Sequence, residues 1–295
     1  MFTFARQPQY DECYTPRDAS EWFIKKVAMS FGLRKKDIDV SSFRYHAVPS
    51  PIVMAIYGGL CHLGTNRDEV WTDVNVPSHN YHDIVYHRGI FYAVDCYGGL
   101  YVCCSIDHDK GRGPKGTKIA SIRTDVGDQK YLVKPLSGSG LLLLVRHNKI
   151  MDSYDKAYGV GSKYRTTHLG SKYRTTHFDV WRLDLKYCDS LEIPSCTLTE
   201  ENSLGNEAIF VGRGASFSVP SSKTIKPNSI YFMDDKWQSY RRGGGCDMGI
   251  FDIEHRTIEP HFEGKPLDCI SPPPPALVHL SSSTSEVALQ FVQLI

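Results

Sequence analysis

The sequence predicts an all-β fold, and within that class a β-propeller. One design recurs in three stretches of the 295-residue chain, where an apolar run passes through a glycine-bearing turn into a second apolar run: Gly89–Cys104, Tyr131–Arg146 and Ser229–Ile253. β-Branched and aromatic residues fill the runs while Gly, Ser and Asp fill the turns, as in β-hairpins. Hairpins spread along a chain of this length indicate radial repetition of small sheets.

Four further segments extend the strand pattern. Ile52–Leu63 and Glu207–Val219 each supply two apolar runs broken by glycines, so both predict hairpins. Phe178–Leu185 alternates apolar and polar residues, which predicts a half-buried strand. Trp22–Ser30 alternates imperfectly and is compatible with a strand or with a short helix.

These strands group into units of four. We expect Asp83–Asp107 to form three strands of a meander, with the segment around Trp71 supplying the fourth. We expect Lys118–Arg123 to join the 131–146 hairpin in the next unit.

The predicted domain division has three parts. Residues 1–20 are polar and lack periodicity, which predicts a disordered or irregular lead-in. Residues 21–276 form the propeller domain. The prolines at 272–275 cannot continue a central strand and mark its exit, which leaves a tail at 277–295.

Composition narrows the partners and the compartment. Hydrophobic residues make up 41% and charged residues 23% of the chain, which is typical of a globular protein with a core. The net charge of +1 does not favour nucleic acid or a membrane surface as a partner. The longest aliphatic run, Leu141–Val145, is too short to span a membrane as a helix. Nine cysteines without a CxxC pair or a secretory signal predict the cytoplasm or the nucleus. Arg6, with no acid before Asp11, keeps an organellar transit segment as the alternative.

A tandem duplication interrupts the strand pattern. GSKYRTTHL (161–169) is followed at once by GSKYRTTHF (170–178), a period far too short for a solenoid repeat. We expect a lengthened surface loop, which costs little closure entropy. The alternative is a basic, tyrosine-bearing contact patch for an acidic partner, formed by Lys163, Tyr164, Arg165, Lys172, Tyr173 and Arg174.

No catalytic or metal constellation assembles from sequence. His79, His82 and His87 lie near Asp83, but residues 82 and 87 face opposite sides of a strand, and zinc-finger and HExxH spacings are absent. Turn or solvent-facing histidines are therefore the favoured interpretation. A Gly-x-Ser-x-Gly elbow is also absent. We expect no enzymatic activity, no cofactor and no bound metal.

A polar segment near the last hairpin is the candidate for partner contact. It carries residue types that dominate interface hot spots, at Trp237, Tyr240, Arg241 and Arg242. Loops at propeller rims commonly carry recognition. The nearby acids Asp234, Asp235 and Asp247 lack the spacing of an EF-hand and are interpreted as turn residues.

Seven short sequence strings with strand patterns follow one another between Trp22 and Pro275. They are WTDV (71–74), HDIVYHRGIFYAVDCYGGLYV (82–102), YLVKPLSGSGLLLLVRH (131–147), FDVWRLDL (178–185), SLGNEAIFVGRGASFSV (203–219), KPNSIYFMDD (226–235) and CDMGIFDIEHRTIEP (246–260). Each string alone is a common strand–turn–strand pattern. As an ordered set they resemble the plant F-box-associated β-propellers of the KIB type.

The resemblance implies a kelch-like propeller that, in typical members, follows an N-terminal F-box. The F-box recruits a Skp-type adaptor and a cullin ubiquitin ligase, while the propeller holds the protein to be modified. Some members bind a protein kinase. The resemblance therefore implies an unknown protein target, with a kinase among the candidates and a Skp-type adaptor only where an F-box is present.

The sequence also departs from this family. Residues 1–20 do not supply a helical F-box, and the segment that carries the first blade is not recognised. We therefore expect an incomplete propeller that acts as a non-enzymatic protein-binding module. Two alternatives stay open: a substrate receptor of a ubiquitin ligase, if the gene product carries an upstream F-box, and a non-functional truncated paralogue.

Overall fold

A computed structural model defines the fold. It describes residues 24–30, 52–57, 62–67, 70–78, 80–104, 114–137, 140–151, 172–187, 193–212, 214–235, 247–260, 276–280 and 288–292. These residues form strands, turns and bends and no α-helix, so the predicted all-β class is confirmed. The described part of the chain offers no helix with the length and hydropathy of a membrane span.

The strands are short and follow one another closely. Their bounds are β1 Ile24–Met29, β2 Val53–Tyr57, β3 His62–Arg67, β4 Val70–Asp73, β5 Tyr81–His87, β6 Ile90–Asp95, β7 Gly99–Cys104, β8 Lys115–Ser121, β9 Gln129–Val133, β10 Leu141–Met151, β11 Lys172–Lys186, β12 Ser195–Glu200, β13 Glu207–Val211, β14 Phe217–Pro220, β15 Ser229–Phe232, β16 Gly249–Asp252, β17 Thr257–Pro260, β18 Ala276–Leu280 and β19 Ala288–Val292. The segment that was compatible with strand or helix is strand β1.

The sheets are small and mostly sequential. Their strand orders are β1-β2-β3-β4, β5-β6-β7-β8, β12-β11-β10-β9, β14-β13-β15-β16-β17 and β18-β19. Pairing in the first two sheets is antiparallel throughout, whereas β13 and β15 pair in parallel. Four-stranded antiparallel meanders are the building units of propellers, as the hairpin pattern predicts.

The chain divides into two compact units. The first comprises Met1–Val126, Lys130–Leu132 and Asp184–Leu198, and the second Gly127–Gln129, Val133–Leu183 and Thr199–Ile295. The predicted boundaries of the propeller domain stay a prediction. Residues 1–20 lie outside the described residues, and the predicted tail carries most of the β18-β19 pair.

The predicted hairpins are confirmed, but the grouping of two strands is wrong. β4 at Val70–Asp73 pairs with β3 and completes the first sheet, so it does not join the meander that begins at Tyr81. The fourth strand of that meander is β8, Lys115–Ser121, which pairs with β7. Each of these two sheets therefore takes four consecutive strands. The sequence pattern identifies strands but does not say to which neighbour an edge strand belongs.

A fully buried carboxylate joins three strands of the first unit. Asp83 on β5 accepts hydrogen bonds from Lys26 Nζ on β1 at 2.6 Å and from the amide of Leu132 on β9 at 2.9 Å. Burial raises the pKa of Asp83, while the Lys26 ammonium and these donors oppose that rise. The apolar core of this unit is formed by side chains of β2, β5, β6 and β7, including Met54, Ile56, Ile84, Phe91, Ala93, Tyr101 and Cys103.

The turn between β6 and β7 is fixed by one acid and one glycine. Asp95 accepts hydrogen bonds from the amides of Tyr97 (2.9 Å) and Gly99 (2.7 Å) and from the hydroxyl of Tyr101 (2.9 Å). Gly98 has φ +79°, and a Cβ there would lie 2.6 Å from the carbonyl oxygen of Ile122. Only glycine meets both conditions.

The second unit buries the unbroken aliphatic run that begins β10. Leu141, Leu142, Leu143, Leu144 and Val145 are all fully buried. On the paired strand β11, Phe178 packs against Phe232 and Phe251, with ring centroids 5.4 and 5.5 Å apart. A run buried on both faces is typical of strands inside a protein core.

The second copy of the duplication is not a loop. Lys172–Phe178 forms the first half of β11 and pairs with β10. Neighbouring residues His147 and Asn148 of β10 pair with His177 and Thr175, so a bulge at Thr176 separates these two pairs. The loop prediction is wrong for these residues because Lys172–Thr175 pair with the end of β10, a non-local partner that the sequence pattern does not reveal. The first copy lies outside the described residues.

Gly116 offers a test of the first unit. Its amide donates a hydrogen bond to the carbonyl oxygen of Asn75 at 2.9 Å. A Cβ at this position would lie 2.1 Å from Cγ1 of Val76. We predict that Gly116→Ala lowers the free energy of unfolding by about 1–3 kcal/mol, because the branched Val76 side chain must shift to admit the methyl group. Gly127→Ala, where no atom lies within 4 Å, is the control and should stay within about 0.5 kcal/mol of wild type. Urea denaturation measures both, and equal stabilities would refute the close approach.

Candidate protein-interaction site

A buried arginine lies at the end of the aliphatic run of β10. Arg146 is 1% exposed and faces Phe178 across the β10-β11 pair. Its guanidinium carbon lies 4.7 Å from the ring centroid of Phe232. Removing a guanidinium from water is costly unless its donors are all used, so its partners determine whether this position is tolerable.

Arg146 binds residues on both sides of the segment 236–246, and we call these flanking residues the stems of the segment. On one side, Nη1 donates to the carbonyl of Met233 at 2.6 Å and lies 3.6 Å from the carboxylate of Asp235. On the other side, Nη2 donates to the carbonyl and to the carboxylate of Asp247, each at 2.9 Å. One side chain thus binds both stems of the 236–246 segment.

Thr175 completes this network from β11. Its hydroxyl accepts a hydrogen bond from Arg146 Nε at 2.7 Å and donates to Asp247 Oδ2 at 2.7 Å. Its amide donates to Asp247 Oδ1 at 2.9 Å. The Asp247 amide in turn lies 3.4 Å from the carboxylate of Asp234. Charge-assisted hydrogen bonds of this kind are stronger than neutral ones, and they compensate for the desolvation of both charges.

The acids near this segment differ from the prediction. We expected Asp234, Asp235 and Asp247 to be ordinary turn acids. Asp234 and Asp247 are instead buried, at 4% and 5% exposure, and Asp247 is the principal anion of Arg146. Spacing along the chain could not reveal this because the cation lies about a hundred residues away in sequence.

The predicted contact residues fall mainly outside the described part of the chain. This holds for Trp237, Tyr240, Arg241 and Arg242, and for Lys163, Tyr164 and Arg165. Lys172, Tyr173 and Arg174 lie on β11, with Arg174 exposed. A contact role for either set stays a prediction.

The histidines singled out by sequence do not converge on a metal site in the described residues. His79 lies outside them, and His87 lies beside Tyr92 with ring centroids 6.4 Å apart. His82 occupies a bulge in β5, where Nδ1 accepts a hydrogen bond from the Lys130 amide at 3.3 Å. Burial, and then the charge of Lys130, lower the pKa of His82 to about 4. His82 is therefore a neutral, partly buried acceptor, and the expectation of a solvent-facing histidine is wrong.

A second polar cluster of the second unit was missed by sequence reasoning. His147 on β10 and His177 and Asp179 on β11 place one potential ligand atom each within 4.8 Å of one another. Burial and the neighbouring His147 lower the pKa of His177. Burial opposes ionisation of Asp179, but hydrogen bonds from Arg256 and His147 outweigh it and lower the pKa of that carboxyl. The available sequence signal is an H-x-D spacing in which His177 immediately precedes the predicted strand Phe178–Leu185 and Asp179 lies on it.

These features define an all-β scaffold. In its second unit the buried Arg146 binds the residues that follow β15 and those that precede β16. Comparison with known proteins gives this scaffold a family. The KIB1-4 β-propeller family matches residues 7–252, and the chain belongs to this family. The predicted propeller architecture and KIB-type resemblance are thereby confirmed.

One curated relative adds to the family assignment. A protein of Arabidopsis thaliana that is named as a putative F-box protein is 23% identical over 228 residues, which are 74% of this chain and 54% of that protein. The chain thus spans about half the length of the curated relative it matches. No solved structure matches the chain.

The depressed pKa of His82 makes stability depend on pH. In the unfolded chain the imidazole takes up a proton near the ordinary histidine pKa of 6.5, and in the folded chain only near a pKa of about 4. The unfolded state therefore binds more protons between these values, so stability is lost as pH falls from about 6.5 to 4, by at most about 3 kcal/mol. We predict that His82→Gln reduces this loss, as measured by urea denaturation at pH 7 and pH 4.5.

His255→Gln is the matched control for this experiment. His255 is exposed and bonds Asp252, which raises the pKa of the imidazole. Protonation of His255 therefore favours the folded state, so this residue does not cause a loss of stability at acid pH. The control variant should keep the full acid-side loss. An unchanged pH profile in His82→Gln would show that His82 is not the titrating group.

Proposed function

We propose that this chain is a non-enzymatic protein-binding module and that its 236–246 segment contacts the partner. The observation that carries the proposal is the buried Arg146, which binds Met233 and Asp235 before the segment and Asp247 after it. Fixing both stems of a segment lowers the entropy that is lost when the segment engages a partner.

The composition of the segment supports the same role. Between the stems the sequence reads KWQSYRRGGGC. Trp, Tyr and Arg are the residues most enriched at energetic hot spots, because they offer large contact area together with hydrogen-bond donors. Membership of a propeller family related to an F-box protein also fits a module that holds proteins. A protein kinase is one candidate partner by family resemblance, and the cytoplasm or nucleus is the proposed location.

A second candidate function is that of a substrate receptor in a cullin ubiquitin ligase. It is favoured by the relative that is named as a putative F-box protein, of which the matched region is about half. In this case the gene product would pair the propeller with an adaptor-binding segment. A transcript that encodes an in-frame F-box upstream of this sequence would support it.

The proposal is tested by affinity purification of the tagged chain from plant cells, with quantitative mass spectrometry. We predict that Trp237→Ala/Arg241→Ala lowers recovery of the specific partner at least about tenfold, since two hot-spot side chains are lost. The matched control is Tyr97→Ala/Arg123→Ala, which removes one exposed aromatic residue and one exposed arginine of the first unit.

Equal recovery with both double variants would overturn the contact role of the 236–246 segment. Recovery of a Skp-type adaptor and a cullin with the wild-type chain would favour the ligase receptor. Recovery of chaperones alone would contradict both functions and favour a truncated paralogue.

A further inference from the structure

We propose that His147, His177 and Asp179 form a binding site for a divalent transition-metal ion, with Zn²⁺ the ion that their chemistry fits best. The site is independent of the proposed protein contact. One nitrogen of each histidine and one carboxylate oxygen lie within 4.8 Å of one another. Bound Zn²⁺ holds such atoms at about 2.0–2.2 Å, so small side-chain rotations would close the set around an ion.

Strand geometry explains why these three side chains converge. His177 and Asp179 are two residues apart on β11, and alternate residues of a strand project from the same face. His147 lies directly opposite His177 in the β10-β11 register. Its ring stacks on that of His177, with centroids 4.2 Å apart and planes 12° apart. Two neighbours on one strand and a cross-strand partner thus present two nitrogens and one oxygen.

Outer partners orient each of the three groups. His147 Nδ1 lies 2.8 Å from a carboxylate oxygen of Asp128, while Nε2 lies 2.9 Å from Asp179 Oδ2. Arg256 donates to the other oxygen of Asp179 at 3.1 Å, and the hydroxyl of Thr176 lies 3.0 Å from His177 Nδ1. A carboxylate that holds the far nitrogen of a histidine, as Asp128 does here, is the usual outer shell of a metal-binding imidazole.

The donor set selects the class of ion. Two imidazoles and one carboxylate suit Zn²⁺ and its neighbours in the transition series, whereas Mg²⁺ and Ca²⁺ prefer shells made wholly of oxygen. Three protein ligands also leave a coordination position for water or for a group of another molecule. All three residues are partly rather than fully buried, so an ion could reach them.

Metal titration of the purified 295-residue chain tests the site. After treatment with EDTA and its removal, calorimetry with Zn²⁺ should show one tight site that Mg²⁺ does not occupy. We expect His177→Ala and Asp179→Asn each to weaken Zn²⁺ binding at least about tenfold, since each removes one of three ligands. His255→Ala is the matched control: it removes an exposed histidine that bonds an aspartate outside the cluster, and it should bind Zn²⁺ as wild type does.

Circular dichroism in EDTA verifies that the variants fold, and the isosteric Asp179→Asn carries the test if His177→Ala does not. The Co²⁺-loaded chain gives a second measurement, because thiolate ligation produces a charge-transfer band that nitrogen and oxygen ligands lack. Three results would overturn the site: absence of stoichiometric Zn²⁺ binding, wild-type affinity in folded Asp179→Asn, or a thiolate band from one of the nine cysteines. In each case the cluster would be only a network of ion pairs.

Discussion

A guanidinium that is buried away from water constrains the second unit. Arg146 keeps its charge at any pH at which the protein folds, so every donor that is buried with it needs an acceptor. It finds them in Thr175, the Met233 carbonyl and Asp247. These acceptors come from β11 and from both sides of the 236–246 segment, so strand pairing and stem position are set by one group. Loss of one of these acceptors would leave a buried donor of the guanidinium without a hydrogen bond.

The first unit applies the same principle with the opposite charge. Asp83 is fully buried, and its partners come from β1, β5 and β9. Apolar contacts such as those of Phe91 and Tyr101 are non-directional and tolerate shifts of neighbouring strands. Buried charges with fixed hydrogen-bond geometry do not tolerate such shifts. In each unit, therefore, hydrophobic burial supplies the driving force, and a buried charge selects one arrangement of strands.

Local pattern was sufficient to predict most of this fold. The hairpins at Gly89–Cys104 and Glu207–Val219 follow from apolar runs and turn residues that lie next to each other in sequence. The errors arose where a contact is not local. The edge strand β8 belongs to the sheet before it, and nothing in Lys115–Ser121 itself says so. The GSKYRTTH duplication predicts a loop, although most of its second copy lies in β11 and pairs with β10.

The polar sites show the same limit. Arg146 is the only charged residue in the string LLLLVR, and a charge at the end of such an aliphatic run indicates an internal partner. Identifying that partner requires knowing that Asp247 lies beside β10 and β11, which depends on tertiary structure. The cluster of His147, His177 and Asp179 likewise appears only once the register of β10 against β11 is known. The sequence shows which residue types could act as ligands, whereas only the pairing of β10 with β11 brings them together.

Arg146 holds the stems of the 236–246 segment, and peptide-resolved hydrogen exchange of Arg146→Met against wild type tests this role most directly. The measurement is made well below the unfolding midpoint of the variant. We predict faster exchange in peptides that cover residues 172–178, 229–235 and 247–253, with wild-type rates across β5 to β7 of the first unit. Unchanged rates at both stems, or equal acceleration throughout the chain, would contradict this role of Arg146.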